Sequence, residues 1–245
     1  MQIVTKQLTN YKQMFSKIKI LKAVIFLSAF FITTNAFSQN NRVGTWELIN
    51  AEYYFHQKYF VWAEAQTRSQ KVFQDFSYDE LKGGFGFKPN KNITVLVGIG
   101  QYETYTIGGN FKKPMTSDEL RVWEQLVLNN YISRVKIEHR YRIEQRWRSG
   151  AFRNRFRYRF NPIIPLNKSS IEPGTLFASV YDEIFLTDIG PHFERNRVFG
   201  GLGYQFNKKL MVQVGWLNQY DISASNVATN KNFLHTSVYL QLHKQ

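Results

Sequence analysis

The chain has 245 residues, a formal net charge of +14 and no cysteine. The lack of cysteine excludes a disulfide framework, a thiolate metal centre and a lipidated N-terminal cysteine. After residue 38 no stretch is apolar enough for a membrane helix, which needs ~20 such residues.

The first segment reads as a targeting signal. Lys17, Lys19 and Lys22 form a positive region, an apolar run follows from Ala23 to Ile32, and Ala36-Phe37-Ser38 offers small residues for a cut. These features predict a signal peptide over 1–38, with Met14 the more natural initiator, and a mature protein starting at Gln39. An N-terminal membrane anchor is the alternative, but the run is short for ~30 Å of hydrocarbon. Residues 1–38 hold five lysines and no acid, so their removal lowers the formal charge to +9.

From residue 43 onward apolar and polar residues alternate with period 2, the mark of strands with two unlike faces. Ile93, Val95, Val97 and Ile99 alternate with Thr94, Leu96, Gly98 and Gly100, and Leu234 to Leu242 repeats the pattern. The expected strands are 43–55, 58–69, 77–87, 92–102, 119–131, 134–148, 151–163, 174–187, 195–206, 210–220 and 232–243. Most reach the ~9–11 residues that cross a bilayer when tilted. Eleven is awkward, because single-chain bacterial barrels have an even count. Either residues 40–55 form two short strands or a further strand lies in a loop.

Turn positions set the expected register. A two-residue turn at Ser149-Gly150 sets Trp147 against Phe152, Ile143 against Phe156 and Arg142 against Arg157. A turn at Asn207-Lys208-Lys209 sets Tyr204 against Val212. Turns at residues 88–92 and at Ile132-Ser133 set Phe87 against Ile93 and Arg121 against Glu144. The second also brings Trp123 beside Arg142 and leaves Glu124 outward, a position that a bulge or interfacial depth would relieve. Longer connections at 103–118, 188–193 and 221–231 alternate with short turns, as in outer-membrane barrels.

Residues 134–159 hold ten Lys/Arg and two Glu, nearly all the mature charge excess. Strict alternation puts Arg140, Arg142, Arg146, Arg153, Arg155, Arg157 and Arg159 on one face. Arginine facing lipid at mid-bilayer costs ~2–4 kcal/mol each, so that face must point inward. Arg121, Glu144, Glu138 and Glu183 are the candidate structural salt-bridge residues. Arg142/Arg157 and Arg140/Arg159 find no acid within their own three strands, and Glu52, Glu64 and Glu183 are the candidates to reach them across the lumen. Two readings of this face stand: a salt-bridge network filling a narrow barrel, or unpaired arginines that bind or conduct small anions.

The chain resembles a known family at Arg140-Tyr141-Arg142-Ile143-Glu144-Gln145-Arg146 and at Arg155-Phe156-Arg157-Tyr158-Arg159. Asp182-Glu183-Ile184-Phe185-Leu186, and Arg195-Asn196-Arg197 leading into Gly201-Leu202-Gly203-Tyr204-Gln205-Phe206, extend the likeness over nearly all of 43–245. The family is catalogued as domain of unknown function 2490, predicted outer-membrane barrels of Gram-negative bacteria. Its pattern more often has Asn where this chain has Asp182. The resemblance implies fold and location, and no activity.

Catalytic signatures are weak. No phosphate-binding glycine loop, serine elbow or paired-histidine zinc motif occurs. His56, His139, His192, His235 and His243 lack metal-ligand spacing, and glycines 98, 100, 200, 201 and 203 fall at strand spacing, where they relieve crowding. A lipid-modifying enzyme assembled from separate strands is a further reading, with His192 and Glu194 its most testable residues. Asp182 and Glu183 face opposite sides, which disqualifies them as a carboxylate pair. Arginines and aromatics on opposite faces do not suit nucleic acid. A secreted soluble barrel or sandwich would instead turn the arginines outward. The expectation is therefore one all-β domain over 39–245, a transmembrane antiparallel barrel of ten to twelve strands. No cofactor or metal is implied, outer-membrane lipids and the barrel-assembly machinery are the expected partners, and the oligomeric state is open.

Overall fold

Period-2 alternation commits each segment to a strand whose two faces differ in polarity. A computed structural model, described over residues 43–244, shows where those faces go. The expected signal peptide lies outside the described residues. Eleven strands follow in order: β1 (Val43–Tyr54), β2 (Tyr59–Lys71), β3 (Gln74–Asn90), β4 (Ile93–Tyr105), β5 (Met115–Ile132) and β6 (Val135–Arg148). They continue as β7 (Ala151–Pro165), β8 (Thr175–Thr187), β9 (Phe193–Gln205), β10 (Leu210–Ile222) and β11 (Ala228–His243).

Each strand pairs antiparallel with its sequence neighbour, and the sheet closes on itself. The expected repair to an even count is not found: residues 43–54 form one strand, and eleven strands close as they are. An odd meander leaves its first and last strands running the same way, so β1 pairs parallel with β11, Val43 opposite Asn232 and Tyr54 opposite His243. The start of β1 and the finish of β11 therefore lie at opposite ends of the barrel, which serve below as its N-terminal and C-terminal ends.

Loop lengths do not sort between those ends as expected. The two longest connections, 106–114 and 166–174, lie at opposite ends, and the tight Ser149-Gly150 turn shares an end with 106–114. Ser149 and Gly150 both have positive φ, 47° and 80°, as a two-residue type I′ turn demands. That hairpin keeps its expected register, with Trp147 against Phe152 and Arg142 against Arg157. The β9–β10 register also holds.

Two expected registers are wrong by two residues. Phe87 faces Val95 rather than Ile93, because the chain turns at Lys91-Asn92 after an irregularity at Phe87/Asn90. The β5–β6 turn is Ser133-Arg134, so Arg121 faces Arg146 and Trp123 faces Glu144. A slip of two preserves which face each side chain takes, so the inward and outward sets survive both errors. Glu124 stays outward with no bulge beside it, the one irregularity of the β4–β5 register lying at Thr104/Tyr105, and Gln145 Nε2 donates to it at 3.1 Å.

The outer face is apolar: Val97, Ile99, Ile143, Phe156, Ile184 and Leu202 are exposed there. The outward placement of the arginines that a soluble barrel or sandwich would give is not found, since Arg142, Arg146, Arg155 and Arg197 are buried within the barrel. Large aromatics also fill the lumen, and they need missing side chains beside them. A Cβ on Gly98 would stand 2.3 Å from the Trp123 ring, and one on Gly203 would stand 2.1 Å from the Phe177 ring. Trp123 is fully buried and has no room to retreat. Gly98→Val is expected to lower stability by ~1–3 kcal/mol through overpacking. The temperature at which the folded barrel loses its compact gel mobility checks this, and an unchanged temperature would contradict the packing described.

Candidate functional site: the charged lumen

β6 and β7 turn charged residues inward at nearly every second position, β5 adds Glu119 and Arg121 and β8 adds Glu183, and closure brings them within ion-pair reach. Glu144 sits at the centre and is wholly buried. It accepts from Arg155 Nε at 2.8 Å and Nη2 at 2.5 Å, and from Arg157 Nη1 at 2.5 Å. Arg142 Nη1 lies 3.5 Å away and Arg121 Nη1 4.0 Å. One carboxylate thus faces four guanidinium groups.

Glu183 is the second hub. It accepts from Arg157 Nε and Nη2 at 3.0 and 2.7 Å and from Arg140 Nη2 at 2.6 Å. Glu183 serves Arg140 and Arg157 from β8, the strand beside β7, and not from across the lumen. The expectation of no acid within β5–β7 fails too, since Glu144 meets Arg142 and Arg157 and Glu138 meets Arg159. Glu64 instead binds Lys82, and Glu52 accepts from Tyr54 and Gln241. Glu138 holds Arg159 at 2.6 Å, with Lys136 at 3.6 Å. Arg121 makes a two-point bond to Glu119, 2.9 Å at each nitrogen, and Arg146 joins the same carboxylate. Such forked guanidinium–carboxylate pairs are the strong form of the ion pair.

Glu194 escapes a reading based on alternation. The β8–β9 register pairs Phe185 with Arg195 and Leu186 with Phe193, so Glu194 is the extra residue of a bulge. Bulges re-aim side chains, and Glu194 meets Arg146 Nη1 at 2.9 Å, Arg153 Nη2 at 3.1 Å and Arg155 Nη1 at 3.5 Å. It lies in β9. His192 is engaged elsewhere, its Nδ1–H donating to the Thr187 carbonyl at 3.0 Å. The structure therefore gives each of these two residues a different partner.

Aromatic rings separate the cations where carboxylates run out. The buried Phe185 ring has Arg157 at 4.4 Å, Arg197 at 4.7 Å, Arg155 at 5.2 Å and Arg195 at 5.6 Å from its centroid. Arg142 lies 5.2 Å from Trp123, the contact anticipated despite the register slip. Its Nε and Nη2 also donate to Gln125 Oε1 at 2.9 and 2.6 Å. A second charged patch, Arg68, Glu80, Lys82 and Glu64, lines β2 and β3. Its Glu80-x-Lys82 spacing was visible in the sequence, but its partners lie on another strand.

Exposure along the lumen locates a buried plane. Side-chain exposure falls from 27% at Lys136 through 14% at Arg140 and 6% at Arg142 to 0% at Glu144. It stays low at Arg155 and Arg146 and climbs again to 31% at Arg153. The salt bridges around Glu144 and Glu119 therefore form a buried layer within the barrel. Between that plane and the C-terminal end lies a cavity of about 380 Å³, lined by residues that include Arg140, Arg159, Arg197 and, from the 166–174 loop, Ile171. Glu144→Gln strands buried arginines, and is expected to cost ~3–5 kcal/mol. Urea unfolding of the vesicle-inserted barrel checks this, and an unshifted midpoint would show that Glu144 is not the hub.

No solved structure matches the chain. It is similar to an uncharacterized protein of Methylorubrum extorquens, 30% identical over 166 residues, which are 64% of this chain and 69% of that protein. The family described as protein of unknown function (DUF2490) matches residues 43–230, from the first residue of β1 into β11. The chain belongs to that family.

Proposed function

We propose that the protein is an integral outer-membrane barrel, exported by residues 1–38, whose lumen is closed by its own salt bridges. The observation that carries this is the inversion of polarity: apolar side chains outside, ionised ones inside. A soluble barrel of this kind would expose a continuous apolar surface far beyond the few hundred Å² that soluble proteins tolerate. Dimensions agree. The 13 residues of β8 extend ~43 Å at ~3.3 Å each, which at ~45° of tilt spans about the ~30 Å of hydrocarbon. Exposed aromatics mark both rims: Tyr53, Tyr59 and Tyr131 towards the C-terminal end, Trp147 and Phe152 flanking the Ser149-Gly150 hairpin at the other. Such girdles sit at the two interfaces of membrane barrels.

Membrane lipid and the assembly machinery are the partners this reading requires. The pore reading is less favoured, because an ion would have to break the buried plane through Glu144, Arg155 and Arg146. Hydrolytic chemistry at His192 and Glu194 has little support, since Glu194 is held by three arginines.

Fractionation is expected to recover the protein from detergent-solubilised outer membrane, with a heat-modifiable gel shift. Recovery as a soluble periplasmic protein would end the proposal. Purified barrel in planar bilayers is expected to show no steady conductance, and a stable anion-selective current would restore the pore. The parallel seam adds a topological test. Epitopes placed before Val43 and after His243 should be reached from opposite sides of the membrane, and labelling of both on intact cells would contradict the seam.

A further inference from the structure

The cavity below the buried plane is not electrically balanced. Twelve Lys and Arg side chains line it, against five Glu. Glu119, Glu144, Glu194 and Asp221 hold Arg121, Arg155 and Arg195 from beyond its wall. With those four counted, cations still exceed carboxylates by three. Excess charge this close together inside a barrel is costly unless something neutralises it. This rests on the membrane reading, because lipid around the wall offers no outside counter-charge.

Where the excess sits is also defined. Arg140 and Arg159 are paired across β6 and β7. Each spends one Nη2 on a carboxylate, Glu183 and Glu138 respectively, and each has a buried Nε with no partner among the described residues. Arg197 has no carboxylate within ion-pair distance among the described residues. It donates to the neutral Gln219 at 2.9 Å and rests against Trp46 and Phe185. Arg142 spends two of its nitrogens on the neutral Gln125. These four guanidinium groups line one cavity. Guanidinium forks match the oxygens of phosphate and carboxylate.

We propose that this cavity is a binding site for a compact oxyanion of two or more negative charges, a phosphoester or a polycarboxylate. The anion enters from the C-terminal end and stops at the Glu144 plane. Exposure rising from Arg142 to Lys136 gives the route. The site is a dead end rather than a channel, so its occupant is held, not passed.

Calorimetric titration of the detergent-solubilised, heat-modifiable barrel at low ionic strength tests this with inorganic pyrophosphate and with citrate. Saturable binding of at least one is expected, near one anion per barrel, and the preferred probe assigns the phosphoester or the carboxylate class. Arg140→Gln and Arg159→Gln each leave the partner carboxylate another cation, Arg157 for Glu183 and Lys136 for Glu138. Both variants should therefore keep the gel shift, yet bind at least tenfold more weakly. Lys112→Gln, in the 106–114 loop at the other end, should bind as the parent does. Absence of saturable binding by a barrel that keeps its gel shift, or equal binding by the Arg140 and Arg159 variants, would overturn the site and leave the membrane reading standing. Loss of the gel shift in the parent would count against the membrane reading instead.

Discussion

A closed sheet gives each side chain two destinations, and strict alternation assigns them without exception until a bulge intervenes. That constraint governs the rest of this molecule. Once Ile143, Phe156 and Ile184 are outside, Arg142, Glu144, Arg155, Arg157 and Glu183 must share an interior bounded by eleven strands. They cannot spread out to lower their repulsion, because strand spacing is fixed at ~4.8 Å. What can vary is which acid lies between which bases: Glu144 sits among four arginines and Glu183 between Arg140 and Arg157.

The limited supply of acid explains the aromatic content of the lumen. Arg197, which has no carboxylate partner among the described residues, rests against both Trp46 and Phe185. A ring face is a weak counter-charge, ~0.5–2 kcal/mol per contact, but it also fills volume. Arg68 stacks 3.5 Å from the Trp46 centroid and 3.9 Å from that of Tyr78 while it touches Glu80 at 3.3 Å. Other lumenal rings, Phe60, Trp123, Phe177 and Phe199, have glycines beside them, so small residues on the inner face make room for aromatic volume.

The inward and outward sets were legible from alternation alone, and so were all eleven strands to within a few residues. Turn chemistry was legible where it was strong. Ser149-Gly150 fixed its register, whereas Ile132-Ser133-Arg134 and Lys88 to Asn92 each offered two turns of the same parity, and the apolar pattern fits both equally. Face assignment survived because the ambiguity was even. The ion pairs were less legible, since Glu183 and Glu194 reach arginines 26 to 48 residues away in sequence. Glu194 in particular breaks parity, and no sequence feature marked the bulge that turns it inward. The odd count looked like an error because antiparallel meanders are expected to close antiparallel.

Parallel closure has its own requirement. Its hydrogen bonds are slanted and slightly weaker per residue than antiparallel ones, so the β1–β11 seam benefits from support on one of its faces. The lumen supplies that support. Trp46 of β1 packs edge-on against Phe233 of β11, 5.6 Å between centroids, within a buried cluster that includes Phe199 and Leu217. His235 Nδ1–H donates to the Trp46 carbonyl across the seam at 2.8 Å, which fixes its tautomer and leaves Nε2 to accept from Ser237. Arg68 of β2 and Arg197 of β9 both rest on the Trp46 ring, so cations from either side of the seam meet over one aromatic. The seam is thus braced by the same interior excess of arginine that fills the buried plane above it. Thinning that excess would loosen closure as well as charge balance, which ties the odd topology of the barrel to the composition of its lumen.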